Sequence, residues 1–212
     1  MRVFPVYSSQ EVLQFIYDCT KKILDNKIEG VLIECGIACG SQIGAMQECL
    51  VDNEISRRIL GYDSFIGIPF AGEHDTSQPA IGDVDQTKLG LLESSGVTAH
   101  SQECVRENFG KWNLPMGNVE LIEGWFQDTV ENYDGSPIAL LRLDGDLYES
   151  TYVCMKHLFK YLSKGGILII DDYQLDGCRK AIHEFIDPKH IIEHLGIAYY
   201  IKPVKSSWFS WK

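Results

Sequence analysis

The chain contains no C-x-x-C pair, no apolar run of membrane-spanning length, no internal repeat and no low-complexity segment. Basic residues are few: 19 Lys and Arg face 30 Asp and Glu, giving a formal charge of −11 and a pI near 4.9. That balance argues against a nucleic-acid or anionic-membrane surface, since clustered Lys and Arg drive phosphate binding. A small or neutral substrate fits it better. The seven cysteines (19, 35, 39, 49, 104, 154 and 178) are odd in number and several fall inside predicted helices or strands. They read as reduced thiols of a cytoplasmic protein. The amino terminus, Met1-Arg2-Val3-Phe4-Pro5, is interrupted too soon for a signal peptide. Also missing is the G-x-G-x-x-G dinucleotide fingerprint.

What is present suits one globular domain over residues 1–212, with 45% hydrophobic composition and length enough for a sizeable core. Two apolar runs dominate. Ile138-Ala139-Leu140-Leu141-Arg142-Leu143 leads into Asp144-Gly145-Asp146, and Gly166-Ile167-Leu168-Ile169-Ile170 leads into Asp171-Asp172. Short Ile- and Leu-rich runs of this kind suit strands covered on both faces. Between them Met155, Leu158, Phe159 and Leu162 recur at helical spacing, so the unit reads as βαβ with parallel neighbouring strands. Asp144, Asp171 and Asp172 then emerge at one sheet edge, where open α/β sheets bind ligands. Three converging carboxylates repel one another unless a cation sits among them, and oxygen ligands select a hard ion such as Mg2+.

Earlier in the chain, Ser8 and Glu11 have capping-box spacing ahead of an apolar stripe, predicting a helix over 9–26 within a helical segment at 1–30. Val31-Leu32-Ile33 leads into Glu34-Cys35-Gly36-Ile37-Ala38-Cys39-Gly40-Ser41, a strand, tight glycine turn and helix start. With Gly36 and Gly40 spaced G-x-x-x-G behind an acid, the turn suits a ligand carrying an ammonium group, such as the methionine part of S-adenosylmethionine (SAM). The next strand ends at Asp63-Ser64, where an acid can accept both ribose hydroxyls; a helix cap or turn is the plain alternative. Residues 65–117 read as a polar lid or substrate-recognition region, punctuated by Pro69, Gly72, Pro79 and Gly82, with a helix over 101–109. His74 within it is a candidate substrate contact. Gly124-Trp125-Phe126 follows a further short strand and could frame an adenine ring or simply fill the core. Near the end, residues 198–201 and 207–211 read as a closing antiparallel strand pair, and Trp208, Phe209 and Trp211 suggest an interface in a homo-oligomer. His190-Ile191-Ile192-Glu193-His194 matches the zinc-protease pattern H-x-x-E-H, but no third ligand follows it, and a surface helix or loop is favoured.

Taken in order, several segments resemble the macrocin O-methyltransferase family of SAM- and Mg2+-dependent sugar O-methyltransferases. They are Ile33-Glu34-Cys35-Gly36, Tyr62-Asp63-Ser64-Phe65, Val105-Arg106-Glu107-Asn108-Phe109 and Gly124-Trp125-Phe126-Gln127-Asp128-Thr129, then Leu141-Arg142-Leu143-Asp144-Gly145-Asp146-Leu147-Tyr148-Glu149-Ser150-Thr151 and Asp171-Asp172-Tyr173. The resemblance implies a class I, Rossmann-like methyltransferase fold: α/β, seven strands, mostly parallel with an antiparallel last strand, helices on both faces. It also implies that Glu34, Gly36, Gly40 and Ser41 bind the methionine part of SAM, Asp63 and Ser64 its ribose, and Gly124, Trp125 and Phe126 border its adenine. Asp144, Asp171 and Asp172 would hold Mg2+, and Asp144 or Asp146 would be the general base for methyl transfer to an acceptor sugar with vicinal hydroxyls. The segment before Glu34 is shorter than in the family's sugar enzymes, which bears on the acceptor. Two other acceptor chemistries stay open. The glycine turn also resembles that of catechol O-methyltransferases, although Leu147 stands where their lysine base would be; and Asp144-Gly145-Asp146 could serve as the D-x-D clamp of a glycosyltransferase.

Overall fold

The apolar runs of the sequence become the middle of a sheet. In the computed structural model, which describes residues 2–5, 7–75 and 90–204, β1 (Val31–Cys35) pairs in parallel with β2 (Ile59–Asp63) and β4 (Ile138–Leu143). On the outer side β2 pairs with β3 (Val119–Glu123), and on the other β4 pairs with β5 (Leu162–Ile170). A hairpin of β6 (Ile192–His194) and β7 (Ile197–Ile201) then joins β5 through antiparallel β7. The order is β3-β2-β1-β4-β5-β7-β6, as expected for a class I methyltransferase fold.

Every residue of β1 and β4 is buried because helices cover both faces. Alternate side chains divide between two cores. Leu32, Ile59, Leu140 and Ile167 pack with α1 (Gln10–Asp25), α2 (Ser41–Asp52) and α3 (Gln102–Lys111). Ile33, Leu60, Leu141 and Leu168 pack with α5 (Tyr148–Leu158) and α6 (Asp176–His183), while the one-turn α4 (Phe126–Thr129) lies after β3. Burying a Leu or Ile side chain contributes about 1.5–3 kcal/mol, so these double-covered strands dominate stability.

Helix α1 starts one residue later than the capping-box spacing suggests. Ser9, not Ser8, is the cap, and its hydroxyl accepts from the Val12 N–H at 3.2 Å. The carboxyl-terminal hairpin also departs from expectation. Residues 192–194 supply the partner of β7, because Gly196 (φ +81) and left-handed Leu195 make a tight turn there. The predicted strand at 207–211 and its aromatic residues lie outside the described residues. His190 consequently sits in a 3-10 turn and Glu193 and His194 on an exposed edge strand, where His194 rests against the Phe15 ring at 4.9 Å. The H-x-x-E-H residues form no group of converging metal donors among the described residues. No helix there is long and apolar enough to cross a membrane.

Candidate active site

Strand register builds the site. Leu143 pairs with Ile170 at the ends of β4 and β5, and the ladder runs one residue further: the Asp171 N–H donates to Leu143 O and the Asp144 N–H to Cys35 O, both at 2.9 Å. Asp144 and Asp171 therefore leave the sheet side by side, and Asp144, Asp171 and Asp172 bring carboxylate oxygens within 4.8 Å of one another. Next to them Asp146 adopts a left-handed backbone (φ 56), uncommon outside glycine and tolerated best by Asn and Asp. Its N–H donates to Asp172 Oδ2 at 2.9 Å, fixing the turn.

One residue the sequence reading passed over organises this edge. Arg142 is fully buried and bonds Glu34, Asp144 (2.8 Å) and Asp171. Its place follows from β1–β4 register, which pairs Glu34 directly with Arg142. A basic residue inside an otherwise apolar strand was the available signal. Burial alone would lower the Arg142 pKa, but Asp171, Asp144 and Glu34 outweigh it and raise it well above its ordinary value. The network is incompletely satisfied, since Glu34 Oε2 and Arg142 Nε have no hydrogen-bond partner. Such buried ion groups add little to stability relative to apolar packing, but removing one member leaves the others uncompensated.

One guanidinium faces five carboxyl groups. Burial, partly offset by Arg142, pushes Glu34 up to about 8 and Asp144 up to about 6. Burial and then Asp144 and Asp171 push Asp146 up to about 7. Asp172 is raised well above the usual range by burial, followed by Asp144, Asp146 and Asp171. Carboxylate oxygens of Asp144 and Asp172 lie within 4.8 Å of each other, a crowding that two carboxyls tolerate by sharing a proton or a cation. The donor set, all oxygen and in excess of its one internal cation, fits a hard divalent ion.

Across the cleft, Asp63 ends β2. Its Oδ2 accepts from the Ile37 and Ala38 N–H groups at 2.9 and 3.0 Å and its Oδ1 from Phe65 at 2.8 Å. Burial raises its pKa against those three bonds. Asp63 thus braces the glycine turn as well as facing the cleft. The cleft, about 280 Å³, suits a small-molecule ligand. Gly36, Asp63, Ser64, Gly124, Trp125 and Phe126 line it together with Asp144, Asp146, Asp171 and Asp172.

Three expected ligand residues do not line the cleft. Glu34 has no exposed surface because it is turned into the sheet toward Arg142. Gly40 is the left-handed cap of α2 (φ 82), and a Cβ there would press on Val105 at 2.9 Å, so packing against α3 accounts for the glycine. Ser41 is buried in the first turn of α2. Gly36 does line the cleft, yet a Cβ on it would lie 1.8 Å from the Asp144 carbonyl, so close approach of β1 and β4 already demands glycine. His74 stays out of the cleft lining: its ring packs on Tyr148 at 4.2 Å and its Nδ1 lies 2.9 Å from Lys180 Nζ. Its neighbour Asp75, which the sequence reading passed over, is buried and accepts from the Tyr148 and Gly72 N–H groups at 2.9 and 3.1 Å. That pins the loop to the start of α5. Tyr7 and Thr98 are further cleft residues without a sequence signal, and Gln127 and Ser150, within the family-like segments, line it as well.

Comparison with known proteins agrees with this geometry. The chain is 37% identical over 168 residues (79% of its length) to 8-demethyl-8-(2,3-dimethoxy-alpha-L-rhamnosyl)-tetracenomycin-C 4'-O-methyltransferase of Streptomyces olivaceus. It is 34% identical over 175 residues (82% of its length) to demethyldecarbamoylnovobiocin O-methyltransferase of Streptomyces niveus. It spans 62% and 64% of the length of these two curated relatives. Among solved structures, the O-methyltransferase NovP superposes with a TM-score of 0.76 at 31% identity, over 90% of this chain and 79% of that one. The calicheamicin methyltransferase CalS11, at 22% identity and a TM-score of 0.71 over 94% and 79%, adds agreement in fold. The fold is that of class I methyltransferases. The macrocin-O-methyltransferase (TylF) model matches residues 8–199, and the chain belongs to that family.

Proposed function

We propose that the protein is a SAM-dependent O-methyltransferase that methylates a hydroxyl of a sugar carrying vicinal hydroxyls. The observation that carries this reading is the meeting, in one cleft, of Asp63 at the end of β2 with Asp144, Asp171 and Asp172 at the ends of β4 and β5. The S. olivaceus relative, named for a rhamnosyl-bearing substrate, supports a sugar acceptor.

In this reading Asp63 accepts a ribose hydroxyl with the one lone pair its three backbone bonds leave, beside Ser64, and Gly124, Trp125 and Phe126 border the adenine. The glycine turn from Gly36 to Ser41 faces the methionine part through backbone at Gly36 and Ala38, with Glu34 acting at a distance by orienting Arg142. Asp144, Asp171 and Asp172 would hold Mg2+, which when bound supplies the positive charge that acidifies an acceptor hydroxyl. Asp146 receives the hydroxyl proton. Of the two candidate bases it is preferred over Asp144, whose Oδ2 is already engaged by Arg142 at 2.8 Å. The acceptor oxygen then attacks the sulfonium methyl; the C–O bond forms as the C–S bond breaks, releasing S-adenosylhomocysteine. Positioning and exclusion of water supply the rest. A catechol acceptor would leave the reaction without its lysine, since Leu147 is buried at the start of α5. The seven free thiols favour the cytoplasm as its location.

Calorimetric titration with S-adenosylhomocysteine tests the cofactor site. Asp63→Ala is expected to weaken binding by about tenfold or more, since hydrogen bonds to a charged group contribute roughly 1.5–3 kcal/mol. Intact protein that does not bind S-adenosylhomocysteine would overturn the reading. With binding established, methyl transfer to sugar acceptors should require a divalent cation and stop with EDTA. Asp146→Asn should lower kcat by about 10²–10⁴-fold while leaving cofactor affinity unchanged.

A further inference from the structure

Outside the lining of the carboxylate cleft, a second group of converging donors lies at the glycine turn. Cys39 sits in the turn, Cys104 in the first turn of α3, and His100 just before that helix. One donor atom from each falls within 4.8 Å of the other two. The sulfurs are 3.2 Å apart. Cys39 is buried and the other two are half-buried, so the group borders solvent at His100 and Cys104.

We propose that Cys39, His100 and Cys104 form a binding site for a thiolate-preferring divalent cation of the Zn2+ class, with the fourth tetrahedral position open to solvent. Two thiols and one imidazole are the donors such ions select over the hard cations suited to the carboxylate cleft. Distance separates this from a disulfide. Two sulfurs on a tetrahedral ion with bonds of about 2.3 Å stand roughly 3.8 Å apart, so the pair opens by about 0.6 Å to take the ion. Forming an S–S bond of about 2.05 Å would require it to close by more than about 1 Å.

The surroundings are those of a supported site. The Asn108 amide donates to Cys39 O at 3.1 Å and approaches Cys104 Sγ at 3.8 Å. The Tyr7 hydroxyl lies 3.1 Å from His100 Nε2, and the two rings are 5.4 Å apart. Partners of this kind orient ligands and hold their protonation state. Without an ion, burial followed by Cys104 pushes the Cys39 thiol up to about 12. Binding converts both thiols to thiolates, so two protons leave for each ion taken up. The consequence reaches the cleft whatever reaction occurs there. Ala38 and Tyr7 line it, the first adjoining Cys39 in sequence and the second touching His100, and the ion would tie the glycine turn to the segment before α3.

The experiment is Co2+ titration of the full chain, kept reduced with a phosphine, read by absorption. A sulfur-to-cobalt charge-transfer band with tetrahedral ligand-field bands, saturating at one equivalent and displaced by Zn2+, is expected. Asp171→Asn should keep those bands, since an oxygen-only site gives no sulfur band. Cys104→Ser and His100→Ala, checked for folding by circular dichroism, should each weaken Zn2+ binding by roughly a hundredfold or more. Absence of the sulfur band in reduced wild-type protein would overturn the proposal. So would bands unchanged in both variants, or thiols that pair into a Cys39–Cys104 disulfide on isolation and take up no metal once reduced.

Discussion

The two sides of the cleft are built differently. On the β4–β5 side, Asp144 and Asp171 leave adjacent parallel strands and are tied by a buried guanidinium that also holds Glu34. On the other side, residues 64–75 and 90–100 are held by loop bonds: Ser64 Oγ donates to Gly67 O at 2.7 Å, Ile68 donates to Val97 O at 3.0 Å, and Asp75 anchors the far end. The first side rests on sheet register and charge; the second rests on local turn chemistry. Groups that must meet a cofactor and a proton within fractions of an ångström belong on rigid elements, whereas a wall of loops can vary to suit an acceptor.

Breaking the first side should cost most. Arg142→Leu removes the single cation among Glu34, Asp144 and Asp171, and loss of one member of a buried ion group destabilises by about 3–5 kcal/mol. Urea unfolding is expected to show that loss. A midpoint equal to wild type would mean that the sheet tolerates the acids without their partner. Breaking the second side should cost less. Asp75→Ala leaves the Tyr148 and Gly72 N–H groups without their partner, a loss of about 1–3 kcal/mol. Since Asp75 does not line the cleft, S-adenosylhomocysteine affinity should stay at the wild-type value while the KM for acceptor rises. A fall in cofactor affinity matching that of Asp63→Ala would show the two sides to be one unit.

The same contrast explains what could be read in advance. Asp144, Asp171 and Asp172 were legible because each follows an apolar run whose period and length declare a buried parallel strand, and register does the rest. Asp63 was legible for the same reason at the end of β2. The bond from Arg142 to Glu34 was not legible, because nothing in linear sequence says which residue of β4 lies beside Glu34; that pairing is a property of β1–β4 register. Asp75 was invisible for a related reason. Of its two partners only Gly72 is near in sequence; the Tyr148 N–H is 73 positions away and is met only when the loop folds back over the start of α5. Strand β7 was read at 198–201, but its partner β6 was missed because Ile192-Glu193-His194 is too short to show alternation, and its strand character comes from the turn at Leu195 and Gly196.

The smallest expected effect sharpens the comparison by pH. Burial places Asp144 at about 6 and Asp146 at about 7, above the roughly 3.9 of an unfolded aspartate. Between pH 4 and about 7 the folded chain therefore binds more protons than the unfolded chain, and stability falls as pH rises through that window. Asp63 and Asp75, also raised by burial, add slope of the same sign on the loop side. A cation acts on only one of the two contributions. Mg2+ stabilises the ionised carboxylates of the β4–β5 side, so at pH 8 it should raise Tm by roughly a few degrees, and at pH 5, where protons compete for the same oxygens, by less. The slope from Asp63 and Asp75 should persist in saturating Mg2+, and Asp171→Ala should remove the Mg2+ increment while leaving that residual slope. An increment that is independent of pH, or one that survives Asp171→Ala, would place the ion elsewhere and dissolve the division between the two sides.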